Sequence, residues 1–544
     1  MGIPAYFSYI VRNHPEIIKK YSKETMKIDN LFMDCNSIIY DVIRNLEKEN
    51  NTNDNAIDIN LIIEGVINKI EDYIHTISPN NIAMISFDGV APFAKLEQQR
   101  TRRYKSVFQQ KIMENIDNTY VKKGKFNTTA ITPGTIFMDN LNKQVKTHFS
   151  TNKTSKRIQH NPKLNIIVST SEEFGEGEHK IFEYIRLNNI DIKDDINVVY
   201  GLDADLIMLS INHLPLCPYI YLFRETPEFI KSIDNSLEPN ETYLLNIPEL
   251  TNITTSYMNN GKRKDKSRIY DYIFICFFLG NDFLPHHVSI NIRTFGINTM
   301  LDAYKTVIGG TAEILTDGKK IYWKNVRKLV KFLACKEEEL FKNETKLRDK
   351  REKLVYLGDT PEQLYTKFEA IPSYERDIEK KINPFKSHWQ RRYYQELFKL
   401  DNPECINEDF CKNLSQNYLE GLEWTLKYYT TGCSDWRWCY KYMYPPLLED
   451  LIRYIPFFED NQFIVDKLPN PVLPLVQLCY VLPKECLHLL PEDLYKVILD
   501  KYEHLYPEDC EIIWAYCKYF WESHVKFPEI NIELLEEIVR DFLQ

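Results

Sequence analysis

The chain has 544 residues, of which 44% are hydrophobic and 13% aromatic, and its formal net charge is −10. This length and composition are enough to bury a large core, and the acidic balance excludes a uniformly basic coat for nucleic acid, although local basic patches remain compatible with it. The twelve cysteines include no C-x-x-C pair, which argues against a zinc or disulfide framework and for reduced thiols inside a cell. No run of eighteen apolar residues occurs, so we expect no membrane span and no membrane partner.

Short apolar runs alternate with amphipathic helical stretches from residue 1 to about 330, which predicts an α/β fold. The predicted strands are 30–34, 81–88, 164–169 and 196–203, and the predicted helices between them include 61–77 and 94–116. Residues 331–383 are densely charged and are predicted to form a helical linker, whereas 384–544 are aromatic and helical in pattern. We therefore predict an α/β core over 1–330, a linker over 331–383 and a second helical region over 384–544.

Acidic residues end or follow each of the predicted strands, and one more follows a further apolar run, 271–279. They are Asp34, Asp88, Glu176, Glu178, Asp203, Asp205 and Asp282. Because parallel strands end at one edge of a sheet, we expect all seven acids in a single crevice. So many carboxylates need a counter-charge, and Mg²⁺ or Mn²⁺ prefers oxygen ligands. The pattern predicts two such ions, an arrangement suited to phosphodiester hydrolysis; the alternative is that each acid is a helix cap or a solvated turn.

A basic stretch lies just after Asp88, in the predicted helix 94–116. Its helical spacing of i, i+4, i+7 and i+8 brings four polar residues onto one face: Lys95, Gln99, Arg102 and Arg103. Arginine forks and a lysine ammonium suit a phosphate group. The alternative is a solvated helix face, but the position beside the predicted metal crevice favours phosphate binding.

These residues, in this order, resemble the XRN family of 5′→3′ exoribonucleases. The similar blocks are "MGIPAYF", "LFMDCNSIIY", "SFDGVAPFAKLEQQRTRRYK", "ITPGTIFM", "EGEHKIFEYIR", "YGLDADLIML", "FFLGNDFLP" and "GLEWTLKYYTTGCSDWRWCYKYMYPP". They cover most of residues 1–300 and about 420–450. Because the chain ends soon after the last block, we expect a core-only member without the long C-terminal domains of some relatives.

The resemblance implies a PIN/5′-nuclease-like fold, with a mostly parallel sheet flanked by helices and the aromatic second region packed on it. It assigns the seven acids as ligands of two Mg²⁺ or Mn²⁺ ions, and Lys95, Gln99, Arg102 and Arg103 as the pocket for a 5′-monophosphate. In the family a histidine and a tryptophan sandwich the leading base. Tyr40 stands at the histidine position, and either Trp436 or Trp438 matches the tryptophan.

The resemblance also implies processive 5′→3′ degradation of single-stranded 5′-monophosphate RNA to mononucleotides, with a role in RNA and mRNA decay. The alternatives are a 5′-flap or DNA nuclease, whose acidic clusters are alike, and a catalytically silent RNA-binding scaffold. Decapping or other RNA-decay partners stay open. The run "KRKDK" at 262–266 is interpreted as a solvated loop rather than a nuclear signal, so we expect an intracellular, cytoplasmic protein.

Overall fold

A seven-stranded, mostly parallel sheet forms the centre of the protein, in a computed structural model that describes residues 6–49, 57–117, 126–150, 161, 163–224, 237–238, 241–261, 268–400, 402–458 and 461–544. Its strands are β1 (Ile18–Lys20), β2 (Asn30–Asp34), β3 (Ile82–Ser86), β4 (Asn165–Ser169), β5 (Asn197–Tyr200), β6 (Ile220–Arg224) and β7 (Tyr243–Asn246). They are ordered β1-β7-β6-β5-β2-β3-β4, and β2 to β6 run parallel. At one edge β7 is antiparallel to β6 and β1 is antiparallel to β7. This confirms the predicted mostly parallel α/β sheet.

Helices cover both faces of the sheet and continue through the rest of the chain. Those up to residue 307 are α1 (Tyr6–Asn13), α2 (Asn36–Glu49), α3 (Ile59–Ile77), α4 (Phe93–Ile116), α5 (Ile136–Ser150), α6 (Gly177–Leu187), α7 (Asn189–Ile192), α8 (Asp205–His213), α9 (Ile247–Met258), α10 (Arg268–Cys276) and α11 (Gly296–Val307). The later ones are α12 (Trp323–Ala334), α13 (Glu337–Glu352), α14 (Pro361–Glu369), α15 (Ile371–Tyr374), α16 (Asp377–Ile382), α17 (Trp389–Phe398), α18 (Glu408–Thr430), α19 (Leu448–Tyr454), α20 (Pro474–Val481), α21 (Glu492–Tyr502) and α22 (Ile532–Leu543). A hairpin of β8 (Glu511–Ile513) and β9 (His524–Lys526) stands apart from the main sheet.

The central strands β2, β3 and β5 are buried along almost their whole length, as expected where helices cover both faces of a parallel sheet. Along β2, Phe32 faces the core formed with α6, α8 and α10, whereas Leu31 and Met33 face the core formed with α2, α3 and α5. The register pairs Asp34 with Ser86 and Ser86 with Ser169. The carboxyl ends of β2, β3 and β4 are therefore level, and β5 lies on the other side of β2. From β2 the strand order runs one way to β3 and β4 and the other way to β5, so it reverses beside Asp34. Open α/β sheets place their ligand crevice at such a reversal.

The second region packs onto the core through α18, a helix buried along most of its length and in contact with α8. The charged stretch 331–383 is helical over α13 to α16. A buried ion pair joins Arg348 of α13 to Glu379 of α16 at 2.6 Å. The division at 330 and 383 stays a prediction, and residues 262–266 lie outside the described residues. Among the helices that the structure describes, none is both long enough and apolar enough to cross a bilayer.

Candidate active site

Two aspartates lie where β2 and β3 end. Asp34 is the last residue of β2, and Asp88 follows β3 by two residues. The Asp88 carboxylate accepts hydrogen bonds from Asn36 Nδ2 at 2.6 Å and from the Gly177 backbone N–H at 2.7 Å. Because Asn36 and Gly177 belong to α2 and α6, Asp88 is held by two helices at once.

Gly177 approaches these aspartates too closely for any other residue. A Cβ atom there would lie 2.5 Å from Asp34 Oδ1 and 3.4 Å from Asp88 Oδ1. The glycine is therefore required by a close approach and not by its backbone conformation, since it is the first residue of α6. Its small size lets the N-terminus of α6 contact both acids.

Gly177→Ala is therefore expected to displace Asp34 and to lower catalysis at this site by roughly 100-fold, the cost of misplacing a group of the site by about 1 Å. Alanine is compatible with a first helical turn, but the added methyl overpacks a buried site and should lower the free energy of unfolding by about 1–3 kcal/mol. The matched control is Gly358→Ala, a loop position where the nearest atom is a leucine methyl at 3.2 Å. Catalysis at the normal rate by Gly177→Ala would show that the position of Asp34 does not limit the reaction.

The two glutamates occupy the N-terminus of α6 and not an extended strand end. Glu176 is the N-cap residue, and Glu178 lies in the first turn. The partial positive charge of a helix N-terminus stabilises nearby carboxylates, which offsets part of their mutual repulsion. On the neighbouring segment Asp205 begins α8 in the same way, while Asp203 lies in the loop before it. Two helix N-termini therefore present acids to the crevice.

Lys95 supplies the positive charge nearest to these acids. Its Nζ lies 2.6 Å from Glu176 Oε1 and 2.7 Å from Asp282 Oδ2, and all three side chains are buried. Burial alone would lower the pKa of Lys95, but the carboxylates around it, Asp282 first, raise it well above its ordinary value. Burial would likewise raise the pKa of Asp282, but Lys95 holds it below its usual range. Lys95, predicted in the phosphate pocket, thus bridges two of the predicted metal ligands.

Two tyrosines of α18 complete the site, and the sequence analysis did not identify either of them. Tyr428 donates its hydroxyl to Glu176 Oε2 at 2.6 Å, and Tyr429 donates to Asp205 Oδ1 at 2.7 Å. The only signal in the sequence was a pair of adjacent tyrosines inside a block that resembles the family.

Three of the acids, Asp34, Glu178 and Asp205, are buried near other carboxylates. Burial, and then the charges of Asp88 and Asp203, raise the pKa of Asp34 well above its ordinary value. Burial and Glu176 do the same to the pKa of Glu178. Burial, followed by Asp282, raises the pKa of Asp205 to about 7. After burial, the main cause of each rise in pKa is a neighbouring carboxylate, which places these acids in one cluster.

The cluster has the donor chemistry of a divalent-cation site. Within the described residues, no three histidine, cysteine, aspartate or glutamate side chains are spaced to hold an ion as they stand. The acids are bonded instead to groups of the chain such as Lys95 and Tyr428. Asp34 Oδ1, however, is buried and accepts no hydrogen bond from the described residues. Carboxylate oxygens of this kind are the ligands that Mg²⁺ and Mn²⁺ prefer, so the residues fit such ions by charge and by donor type.

Arg102 and Arg103 lie about two helical turns beyond Lys95 on α4. Arg102 is exposed, whereas Arg103 is partly buried and donates from Nη2 to Thr132 Oγ1 at 2.6 Å. The second terminal nitrogen of Arg103, Nη1, is buried without a hydrogen-bond partner among the described residues. Burial also lowers the pKa of this guanidinium to about 10. A buried donor of this kind would be satisfied by an anion at this face.

The other cations of α4 have structural roles. Arg100 stacks on Phe527 at 4.3 Å, and Lys105 donates to the backbone carbonyl of Ser523 at 2.8 Å. Gln99 accepts a hydrogen bond from Gln477 Nε2 at 3.3 Å, which ties the predicted phosphate face to α20. The face that remains for a ligand is therefore centred on Arg102 and Arg103.

The predicted stacking residues occupy different surroundings. Tyr40 on α2 is 40% exposed, and Arg102 and Arg103 lie close enough to act on its hydroxyl electrostatically. Trp438 is part of the main core and stacks on Trp424 with ring centroids 5.2 Å apart. Trp436 instead meets the half-exposed Phe174 edge-on at 5.1 Å.

Those contacts distinguish the two tryptophans that the sequence analysis left open. Phe174 belongs to the loop that carries Glu176, so Trp436 lies on the crevice side of the second region. The backbone carbonyl of Trp436 also accepts a hydrogen bond from the Phe93 N–H at 2.9 Å, at the start of α4. Trp436 is accordingly the better candidate to contact a ligand.

Comparisons with known proteins cover almost the whole chain. Residues 1–226 match the profile of the XRN 5′-3′ exonuclease N-terminus, and residues 263–363 and 358–543 match the Xrn1 helical domain. The chain is 27% identical to 5′-3′ exoribonuclease 2 of Gallus gallus, over 99% of this chain and 70% of that protein. It is 26% identical to 5′-3′ exoribonuclease 1 of Saccharomyces cerevisiae, over 100% of this chain and 43% of that protein. Among solved structures, the catalytic core of Rad2 in complex with a DNA substrate matches with a TM-score of 0.32 and 11% identity, over 79% of this chain and 96% of that one.

Proposed function

We propose, from the premise that the chain belongs to the XRN 5′-3′ exonuclease family, that it degrades single-stranded 5′-monophosphate RNA processively to mononucleotides. Its enzyme class, 5′-3′ exoribonuclease, follows from its relatives of that name, which match 99% or more of the chain.

The observation that carries the proposal is the arrangement of α4. One helix brings Lys95 into the acidic cluster and, two turns further on, presents Arg102 and Arg103 beside the exposed ring of Tyr40. A 5′-terminal phosphate held by the arginines would leave the next phosphodiester facing the acids.

The chemistry of the products explains why the arginines that bind a terminal phosphate occur beside the acids that cleave the next bond. Water adds to phosphorus and the P–O3′ bond breaks, which releases a nucleoside 5′-monophosphate and leaves a new 5′-phosphate on the shortened RNA. Each product therefore carries the end group that the arginines bind. An RNA that stays bound can move by one nucleotide and react again.

The acids would hold two Mg²⁺ or Mn²⁺ ions, which when bound supply positive charge to the attacking and leaving oxygens. Asp34 and Asp88 from the strand ends, with Glu176 and Glu178 from α6, are the residues closest to the level strand ends. Arg102 and Arg103 orient the terminal phosphate. Tyr40 and Trp436 are proposed to stack on the leading base.

The test is degradation of one RNA sequence prepared with a 5′-monophosphate, a 5′-triphosphate or a 5′-hydroxyl, with Mg²⁺ or with a chelator. We expect rapid release of mononucleotides only from the monophosphate RNA with Mg²⁺. A matching single-stranded DNA distinguishes a DNA nuclease, which would degrade it at least as fast. Binding of all the RNAs without any cleavage would support a silent scaffold instead.

Tyr40→Ala is expected to lower processivity without changing the metal requirement or the preference for a 5′-monophosphate. Stacking on one base contributes about 1–3 kcal/mol and is independent of sequence, so its loss lets partly digested RNA dissociate. The measurement is the ladder of product lengths from a long RNA, with excess unlabelled RNA added after the first turnover. Tyr40→His, which keeps a ring, should behave almost like the unmodified enzyme. Identical ladders for Tyr40→Ala and the unmodified enzyme would show that the ring does not touch the RNA.

A further inference from the structure

Adjacent tyrosines on α18 each bond to an acid from a different segment of the core. Tyr428 donates to Glu176 of the α6 N-terminus and Tyr429 to Asp205 of α8, at 2.6 and 2.7 Å. Consecutive residues of a helix point about 100° apart, so one turn of α18 reaches both segments. In each pair the hydroxyl, the ring and the carboxylate are all buried.

The rings themselves have little freedom to move. Tyr428 lies between His179, with centroids 3.7 Å apart, and Trp424, with centroids 4.8 Å apart, and is nearly parallel to both. Phe283 meets its edge at 5.3 Å. Tyr429 packs edge-on against Phe277 at 5.3 Å. Packing of this density fixes the rotamer of a side chain, and with it the direction of its hydroxyl.

Without the hydrogen bonds from these hydroxyls, the carboxylates of Glu176 and Asp205 could rotate more freely. An ionised carboxylate has two oxygens and about four lone-pair sites. Tyr428 holds Glu176 through Oε2 while Lys95 holds it through Oε1, and Tyr429 holds Asp205 through Oδ1, so these bonds restrict how each carboxylate can turn within the cluster. Groups that hold metal ligands in this way affect metal affinity by about 10–100-fold when they are removed.

We propose that Tyr428 and Tyr429 are positioning residues through which the second region sets the affinity of the core for divalent ions. Neither tyrosine is itself a ligand. The second region would then be required for metal binding even though the seven candidate ligands all come from the first. This inference rests on the proposed function, because it takes Glu176 and Asp205 to be metal ligands.

Tyr428→Phe and Tyr429→Phe test the inference, because each removes one hydroxyl and keeps the ring. Tyr418→Phe is the matched control: Tyr418 is a buried residue of the same helix, and its hydroxyl donates to the Pro285 carbonyl at 3.3 Å. Mn²⁺ binding to the full chain is measured by titration calorimetry, and unfolding is measured with a chelator present. We expect Mn²⁺ binding 10–100-fold weaker in each test variant, and unchanged in the control.

A second expectation separates positioning from general destabilisation. Saturating Mg²⁺ should restore most of the RNA cleavage rate of the test variants, and Tyr428→Phe should have no further effect on Mn²⁺ affinity in a Glu176→Gln background. Equal Mn²⁺ affinity in both test variants, the control and the unmodified chain would overturn the inference while the enzyme remains active. An unmodified chain that neither binds Mn²⁺ nor degrades RNA would overturn the proposed function and this inference with it.

Discussion

Asp34→Asn should abolish RNA cleavage and yet make the metal-free protein more stable. Asparagine keeps the shape of the side chain but removes a buried charge that Asp88 and Asp203 repel. One pKa unit corresponds to about 1.4 kcal/mol, so the free energy of unfolding should rise by at least about that amount at pH 7.5. Cleavage should fall by at least about 1,000-fold, since a candidate ligand at the centre of the cluster is lost.

The pH dependence of this gain follows from the direction of the shift. The pKa of Asp34 is higher in the folded than in the unfolded chain. Its protonated form therefore stabilises the fold below the unfolded pKa of about 3.9, and that stability is lost as pH rises through the folded pKa. The advantage of Asp34→Asn should thus be present at neutral pH and disappear in acid.

The stability of Asp34→Asn and of the unmodified chain is compared by unfolding curves measured with a chelator. Their activity is compared by cleavage rates measured with Mg²⁺. Asp58→Asn is the control, because Asp58 is an exposed N-cap of α3, a position where asparagine serves as well as aspartate. A loss of stability in Asp34→Asn, or a rate near normal, would contradict the placement of Asp34 in a repelling, ion-binding cluster.

Replacing both Arg102 and Arg103 by alanine should remove the preference for a 5′-monophosphate over a 5′-hydroxyl. A desolvated contact between a guanidinium and a phosphate typically costs about 2–5 kcal/mol to remove, which is roughly 30-fold to several thousand-fold in rate or affinity. The Mg²⁺ requirement should be unchanged, because the acids are untouched. Rates on the two RNAs, measured below saturation, give the preference directly.

Lys111→Ala is the matched control for these arginines. Lys111 lies further along the same helix and pairs with Glu485 at 2.8 Å, away from the acidic cluster. If the double variant keeps its preference for the monophosphate, Arg102 and Arg103 form only a solvated face of α4.

The sequence predicted the sheet and the location of the acids because both depend on local signals. Apolar runs bounded by polar residues marked the strands, and the 30–34 prediction matches β2 residue for residue. Since parallel strands share one edge, acids after each strand could be expected to converge. The spacing of α4 likewise brought Arg102 and Arg103 onto one face.

The remaining features depend on contacts between distant parts of the chain. The hydroxyls of Tyr428 and Tyr429 reach acids that are 252 and 224 residues away in sequence, so no local pattern could reveal them. The pairing of Lys95 with Glu176 and Asp282 likewise joins segments that are far apart in sequence, 187 residues in the case of Asp282. Both tryptophan rings are buried, so the choice of Trp436 over Trp438 required knowing that Trp438 stacks on Trp424 whereas Trp436 contacts Phe174.

The most direct measurement uses one 5′-monophosphate RNA with different labels on its first and last nucleotides. With Mg²⁺, the 5′ label should appear in mononucleotides from the earliest times, while the 3′ label stays in long RNA until the end of each molecule is reached. A chelator should stop the release of both labels. Early release of the 3′ label, internal fragments, or release without divalent ions would contradict 5′→3′ degradation at the metal-binding acids proposed here.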